Sequence, residues 1–343
     1  MKQLLAYCLS IILCVSFTGC MENYLDLYPE DKITSASFPE NESDIKLLLN
    51  GVYAQLREKE VYNQGLFGFG ITDGATPNAF NWGTDEVFNK LGAGRLSSSD
   101  GGVVTYRWKR CYEIISRANY LLACMDLVDL SEEAKAKYSG ETHFLRGLAY
   151  SVLAETYGGV PIILTDISTE EARSLKRASL EETWQQALDD YEVAITNLGV
   201  DAPEPGRATK GAALGMKMRA YLYQGKYKEV LSCVEQIDAL KKYGLFHSYE
   251  GLFDPANENN KEVLFDIQYI EGVNSQGSYI DQYCGTGTGS WTRGSRYVPT
   301  DDLVAAYETI DGSPVDPENP YENRDPRLGF TAVLPGSYFL GYR

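Results

Sequence analysis

The fold depends on one long helix, predicted within residues 131–161, which read SEEAKAKYSGETHFLRGLAYSVLAETYGGVP. Ser131 before two glutamates is typical of a helix start, because its hydroxyl can accept hydrogen bonds from first-turn amides and acidic groups suit that end. The pair Gly158-Gly159 ends the pattern, and Pro161 follows, as is common just beyond a helix. The stretch therefore predicts a helix from residue 131 to 157.

Apolar residues at steps of three and four predict further helices on both sides of this one. The predicted helices span residues 45–56 (capped by Asn41 or Ser43), 103–125, 179–198, 209–224 and 227–240. Ser179 and Glu182 match a capping box at the start of one of them. Two hairpins follow from this order, 103–125 with 131–157 and 179–198 with 209–224.

The spacing of Ala220, Gly225 and Tyr227 is typical of the turn in a tetratricopeptide unit, where a small residue lets two helices cross closely. The predicted fold class is therefore mainly α, a tetratricopeptide-like array of helical hairpins with long loops and a few short strands. An unrelated helical array is the alternative. Alternation over 262–269 predicts a strand, and Thr300 is expected to cap a short helix over 301–307.

Charge and composition exclude several classes of function. The chain carries 31 Lys and Arg against 48 Asp and Glu, a net charge of −17, so we expect no nucleic-acid partner. Its only histidines, His143 and His247, exclude a His-rich metal site. Motifs for zinc proteases, serine hydrolases and P-loops are absent from the sequence, so neither a catalytic residue nor a cofactor is predicted. Gly285, Gly287 and Gly289 lack the helix that a dinucleotide loop needs.

Two long segments, 60–101 and 272–299, combine aromatic with polar residues and are predicted to be functional loops. Aromatic rings stack on the C–H faces of sugars while Asn, Asp and Arg bind hydroxyl groups, so the loops predict a glycan site. The candidate ligand residues are Asp73, Asn78, Asn81 and Trp82 in the first loop and Tyr279, Tyr283, Trp291 and Arg293 in the second. Rings that merely pin the loops to the body are the alternative.

Residues 1–19 are predicted to be a signal peptide, because a short basic start precedes about fourteen mostly apolar residues, too few to span a bilayer. The run ends at Phe17-Thr-Gly-Cys20, which resembles a bacterial lipoprotein cleavage site with Cys20 as the lipidated residue. A plain secretory peptide is the alternative. Cys111, Cys124, Cys233 and Cys284 show no metal spacing and are expected to be buried thiols.

Several segments together resemble the SusD/RagB lipoproteins of Bacteroidetes. They are residues 20–26 (CMENYLD), 140–150 (GETHFLRGLAY), 157–163 (YGGVPII), 177–184 (RASLEETW), 206–213 (GRATKGAA) and 323–328 (NRDPRL). The resemblance implies a tetratricopeptide-like body, anchored by lipid to the outer membrane and facing outward. It also implies a non-enzymatic receptor that captures a glycan or another nutrient and passes it to a SusC-type TonB-dependent transporter.

The resemblance divides the chain into the leader, a SusD-like N-terminal helical region at 20–240 and the start of the C-terminal region at 250–343. Members of the family usually run further, so the C-terminal region is expected to be truncated. Arg324, Asp325 and Arg327 are expected to form a structural ion pair and turn. Two other functions stay open: a helical-repeat scaffold that binds proteins or peptides, and a glycan-cleaving enzyme on a helical frame.

Overall fold

The computed structural model describes residues 38–57, 73–81, 90–97, 99–269 and 297–338. Helices form the body of the described part, which confirms the mainly α prediction. They are α1 Glu42–Tyr53, α2 Val103–Cys124, α3 Glu132–Tyr157, α4 Thr169–Ser174, α5 Leu180–Asn197, α6 Lys210–Tyr223 and α7 Tyr227–Ala239. Short 3-10 turns occupy Ala54–Arg57, Met125–Leu127, Gly251–Phe253 and Pro255–Asn257.

Side-chain caps fix where the helices start. The Asn41 side chain accepts a hydrogen bond from Ser43 N at 2.9 Å, which selects it over Ser43 as the cap of α1. Ser179 and Glu182 form the predicted capping box, with Glu182 N 3.1 Å from Ser179 Oγ and Ser179 N 2.7 Å from Glu182 Oε2. Thr209 caps α6 through its hydroxyl, which accepts a hydrogen bond from Ala212 N at 3.1 Å. The predicted starts are confirmed because each cap is a local interaction.

Helices that are close in the chain also pack against each other. α2 packs on α3 and α5 on α6, as the sequence predicts, while the most extensive contact joins α3 to α5. Gly147 makes this contact possible: a Cβ there would lie 2.8 Å from Tyr191 Cε1 and 3.2 Å from Ala187 O. Gly225, at φ +69°, forms the turn into α7. The array is therefore one of packed hairpins.

A buried ion pair joins three helices at the centre of the body. Arg146 of α3 donates from Nη2 to Asp190 Oδ1 of α5 at 2.7 Å and from Nε to Asp190 Oδ2 at 3.0 Å. Its Nη1 donates to Asn119 Oδ1 of α2 at 2.8 Å, and Asn119 in turn donates to Ile163 O at 2.9 Å. The side chains of Arg146 and Asp190 are 7% and 2% exposed, so both charges are satisfied inside the protein.

The elements outside the body are short. Strand β1, Ala79–Asn81, pairs with strand β2, Tyr297–Pro299. Two short helices follow β2 in the chain: α8, Asp301–Ala306, and α9, Arg327–Thr331. The strand predicted over 262–269 is wrong. Phe265 and Ile267 pack against the helical core instead, with the Phe265 ring edge-on to Phe144 at 4.9 Å. The alternation in the sequence arises because every second side chain, here Phe265 and Ile267, contacts the helices.

The segment 324–327 has a structural role, as expected. The guanidinium of Arg324 is buried and donates to Pro320 O, Val304 O and Tyr307 O, each at 2.6 Å. Arg327 Nε lies 2.9 Å from Asp325 Oδ1, forming the predicted ion pair. These contacts hold the turn between α8 and α9.

Candidate functional site

A two-stranded antiparallel ribbon joins the two loops in which the sequence predicts ligand residues. β1 belongs to the first loop and β2 ends the second, with Ala79 opposite Pro299, Phe80 opposite Val298 and Asn81 opposite Tyr297. More than 200 residues separate the two strands in the chain. The ribbon therefore unites two segments that the sequence treats as independent.

Thr300 extends this link beyond the strands. Its amide donates to Asn78 O at 3.0 Å and its hydroxyl donates to Pro77 O. The same hydroxyl accepts a hydrogen bond from Leu303 N at 3.2 Å and so caps α8. Through its amide and its hydroxyl, Thr300 thus links the first loop to the residue that follows β2 and to the start of α8.

Three of the predicted ligand residues lie in the described residues, and all three are in the first loop. Asp73 is exposed, and its carbonyl accepts hydrogen bonds from Thr76 N at 2.9 Å and Thr76 Oγ1 at 2.8 Å. Asn78 is exposed at the turn that enters β1, and Asn81 is the last residue of that strand. The other five candidates fall outside the described residues: Trp82, Tyr279, Tyr283, Trp291 and Arg293.

Phe80 is a candidate ligand residue that the sequence analysis did not select. Its side chain is 50% exposed, in the middle of β1 and directly opposite Val298. A directly opposite pair on antiparallel strands shares one face of the ribbon. The signal was present in the sequence, since Phe80 adjoins Asn81 and Trp82, but only the strand pairing shows that its backbone is held in place.

A second polar cluster lies between two clefts of about 280 and 410 Å³ that share the turn Glu204 to Arg207. Tyr53 donates from its hydroxyl to Glu141 Oε2 at 2.7 Å and accepts from Ala208 N at 2.9 Å. The guanidinium of Arg207 stacks over the Tyr53 ring at 4.9 Å and lies 3.6 Å from the Glu141 carboxylate. The sequence does not reveal this cluster, because its members are far apart in the chain.

The cluster of Tyr53, Glu141 and Arg207 stabilises the fold, because it joins α1, α3 and the loop before α6. Arg207 also donates to Asn50 Oδ1 at 2.6 Å and to Glu204 Oε2 at 3.2 Å, so it ties α1 to the loop before α6. Burial raises the pKa of the Glu141 carboxyl, although the hydrogen bond from Tyr53 and the charge of Arg207 act to lower it. Burial is also the main cause that raises the pKa of Tyr53.

The described residues contain no group of three or more His, Cys, Asp or Glu side chains arranged to hold a metal ion. His143 is part-buried, with Nδ1 2.8 Å from Ser139 O, and burial lowers its pKa. Cys111, Cys124 and Cys233 are free and buried, as predicted, and burial raises the pKa of the Cys111 thiol to about 12. Such a thiol is a poor nucleophile at neutral pH.

Among the residues that the structure describes, each helix is too short or too polar to cross a membrane.

Comparison with known proteins places these features in a family context. Residues 23–222 match the profile described as "Starch-binding associating with outer membrane", and residues 261–343 match the profile of the SusD family. A curated relative, SusD-like protein P25 of Formosa agariphila, is 26% identical over 87% of this chain and 58% of its own length. The chain therefore spans less than two thirds of that relative.

Solved structures give the same result. A SusD-like carbohydrate-binding protein from Bacteroides fragilis is 28% identical, with a TM-score of 0.74 over 86% of this chain and 61% of its own. A second SusD-like protein from the same species is 25% identical, with a TM-score of 0.73 over 88% of this chain and 62% of its own.

Proposed function

Because this chain belongs to the SusD family, we propose that it is a glycan-binding lipoprotein of the outer-membrane surface, which passes its ligand to a SusC-type TonB-dependent transporter. The observation that carries the proposal is the β1–β2 ribbon, which joins the two aromatic and polar loops on a helical body. The Bacteroides fragilis protein that is 28% identical is described as carbohydrate binding, which supports a glycan as the ligand.

The proposed site combines the ribbon with the candidate residues on either side of it. Trp82 follows β1 directly in the sequence, and Trp291 and Arg293 precede β2 by a few residues. Strand pairing holds the backbone at residues 79–81 and 297–299, so a sugar that binds there costs little conformational freedom in those residues. A role in binding rather than catalysis agrees with the absence of catalytic motifs from the sequence.

Titration calorimetry against a panel of neutral oligosaccharides tests the ligand. We expect one class of glycan to bind and Trp82→Ala and Trp291→Ala each to weaken binding about fivefold, since one stacked ring contributes roughly 1 kcal/mol. Phe253→Ala is the control, because that ring is 71% exposed but lies outside both loops. Binding of no glycan, or equal binding by all three variants, would contradict the proposal.

Thr300 tests whether the ribbon matters for binding. Thr300→Val removes the hydroxyl that donates to Pro77 O and caps α8, whereas Thr300→Ser keeps both interactions. We expect the valine variant to bind glycan several-fold more weakly and the serine variant to bind normally. Equal affinities would show that the two loops bind independently of their link.

Membrane fractionation tests the anchor and the partner. In the proposed state Cys20 carries the lipid, residues 1–19 are removed and the protein faces outward. We expect Cys20→Ala to leave the outer-membrane fraction, and the lipidated protein to co-purify with a TonB-dependent transporter after detergent extraction. Release of sugar products on long incubation with the purified protein would instead favour an enzyme.

A further inference from the structure

Helix α7 carries an apolar stripe on its outer side. Tyr227, Leu231 and Val234 are 66%, 64% and 37% exposed, although all three belong to a regular helix. Steps of four and three residues keep these side chains within an arc of about 60° at 100° per residue. Cys233 is the residue of α7 that is fully buried. The helix thus has an exposed apolar arc from Tyr227 to Val234, and the exposed Asp238 follows on the same side one turn later.

Two opposite charges lie beside this stripe, one on each side of Leu231 along the helix. Lys228 and Glu235 are both exposed and are seven residues apart, so they lie on the same flank of α7. Lys228 precedes Leu231 by three residues and Glu235 follows it by four. The charges are therefore placed almost symmetrically about the centre of the stripe, with the sign reversed.

We propose that the α7 stripe binds α7 of a second copy of this chain, antiparallel, about a two-fold axis near Leu231. In this arrangement the two Leu231 side chains meet at the axis, and Tyr227 of each copy packs against Val234 of the other. Lys228 of each copy faces Glu235 of the other, because equal flanks adjoin in an antiparallel helix pair. A parallel arrangement would bring the two Lys228 side chains to the same level and lose this match.

The surface also has the size of a weak interface. It uses one side of a 13-residue helix in each copy, which is a small surface compared with the interfaces of stable dimers. The association is therefore concentration-dependent, and the monomer keeps its fold. Isolated exposed apolar residues are common on monomers, but three in register on one helix with matched flanking charges point to a contact.

Sedimentation velocity of the purified chain, over concentrations from about 1 to 200 µM, measures the association. We expect a reversible dimer that Leu231→Asp weakens about a hundredfold, because two carboxylates would meet at the axis. Leu245→Asp is the matched control, since Leu245 is 81% exposed outside α7 and its replacement leaves the dimer intact. A monomer at every concentration, or a dimer insensitive to Leu231→Asp, overturns the proposal.

Charge reversal tests the antiparallel register without any change in the stripe. We expect Lys228→Glu and Glu235→Lys each to weaken the dimer about tenfold, since each exposed attraction becomes a repulsion and occurs twice. The double variant restores the original affinity, because each pair is again opposite in sign. Failure of the double variant to recover contradicts the register.

Discussion

Helices α3 and α7 are both predicted from the sequence, but the structure gives them very different surroundings. From Gly140 to Ala154, every residue of α3 except His143 is buried, including the charged Glu141 and Arg146. α7 buries Cys233 and turns three apolar side chains outward. The difference teaches that stability is concentrated where helices have neighbours on all sides, whereas α7 leaves apolar side chains exposed within the described residues.

The sharpest test of this contrast breaks the ion pair at the centre of α3. Arg146→Ala leaves Asp190 charged and buried, and should lower the free energy of unfolding by about 3–5 kcal/mol. Urea denaturation measures the change. Arg173→Ala is the control, because Arg173 is exposed on α4 and its loss should cost less than about 0.5 kcal/mol. Equal stability of the two variants would show that α3 is not the centre of the fold.

A smaller loss is expected where α3 and α5 approach most closely. Gly147→Ala places a Cβ 2.8 Å from the Tyr191 ring, and should destabilise the protein by about 1–3 kcal/mol through overpacking. Gly329→Ala is the matched control, since no atom lies within 4 Å of its added Cβ. Thermal unfolding of both variants checks the prediction, and a neutral Gly147→Ala would mean that the helices separate without cost.

Glu141 should make the stability of α3 depend on pH. Burial raises the pKa of Glu141 in the folded state, so between the unfolded and folded pKa values the folded protein binds more protons. Its contribution to stability is therefore full below the unfolded pKa and is lost as pH rises through the folded pKa.

Urea denaturation at several pH values, from about 4 to 8, compares the wild type with Glu141→Gln. We expect the wild type to lose stability relative to the variant as pH rises, because glutamine does not ionise. Glu181→Gln is the control at an exposed position. A constant difference between wild type and Glu141→Gln would contradict the assignment.

The smallest effect is expected on α7. Leu231→Ala removes an exposed side chain and should change the free energy of unfolding of the dilute monomer by less than about 0.5 kcal/mol. Leu148→Ala, at a position of α3 that is 2% exposed, should cost about 2–5 kcal/mol. Chemical denaturation of both variants measures the ratio. Similar costs would remove the distinction between the centre and the end of the array.

Most of the body could be predicted from the sequence because its signals are local. Ser179 with Glu182, Thr209 and Gly225 mark helix ends through contacts within a few residues, and the structure shows each of them. The strand predicted over 262–269 is wrong because alternation shows only that every second side chain is covered. It does not show what covers them, and here the cover is the helical core.

The candidate site was predictable only in part. Composition pointed to Asp73, Asn78 and Asn81 and to the aromatic residues of both loops. It did not show that Phe80 is paired opposite Val298, since strands of three residues are too short to show a period. The cluster of Tyr53, Glu141 and Arg207 was also invisible, because its contacts join residues 66 to 154 positions apart in the sequence.

The sequence by itself determined the helices, their order and the family, since caps, glycines and apolar periods act over a few residues. Only the tertiary structure decided which of those helices is surrounded and which is left with an open face. It also decided that β1 and β2 join two distant loops through backbone hydrogen bonds. Backbone groups are the same in every residue, so the sequence does not show which two short strands pair.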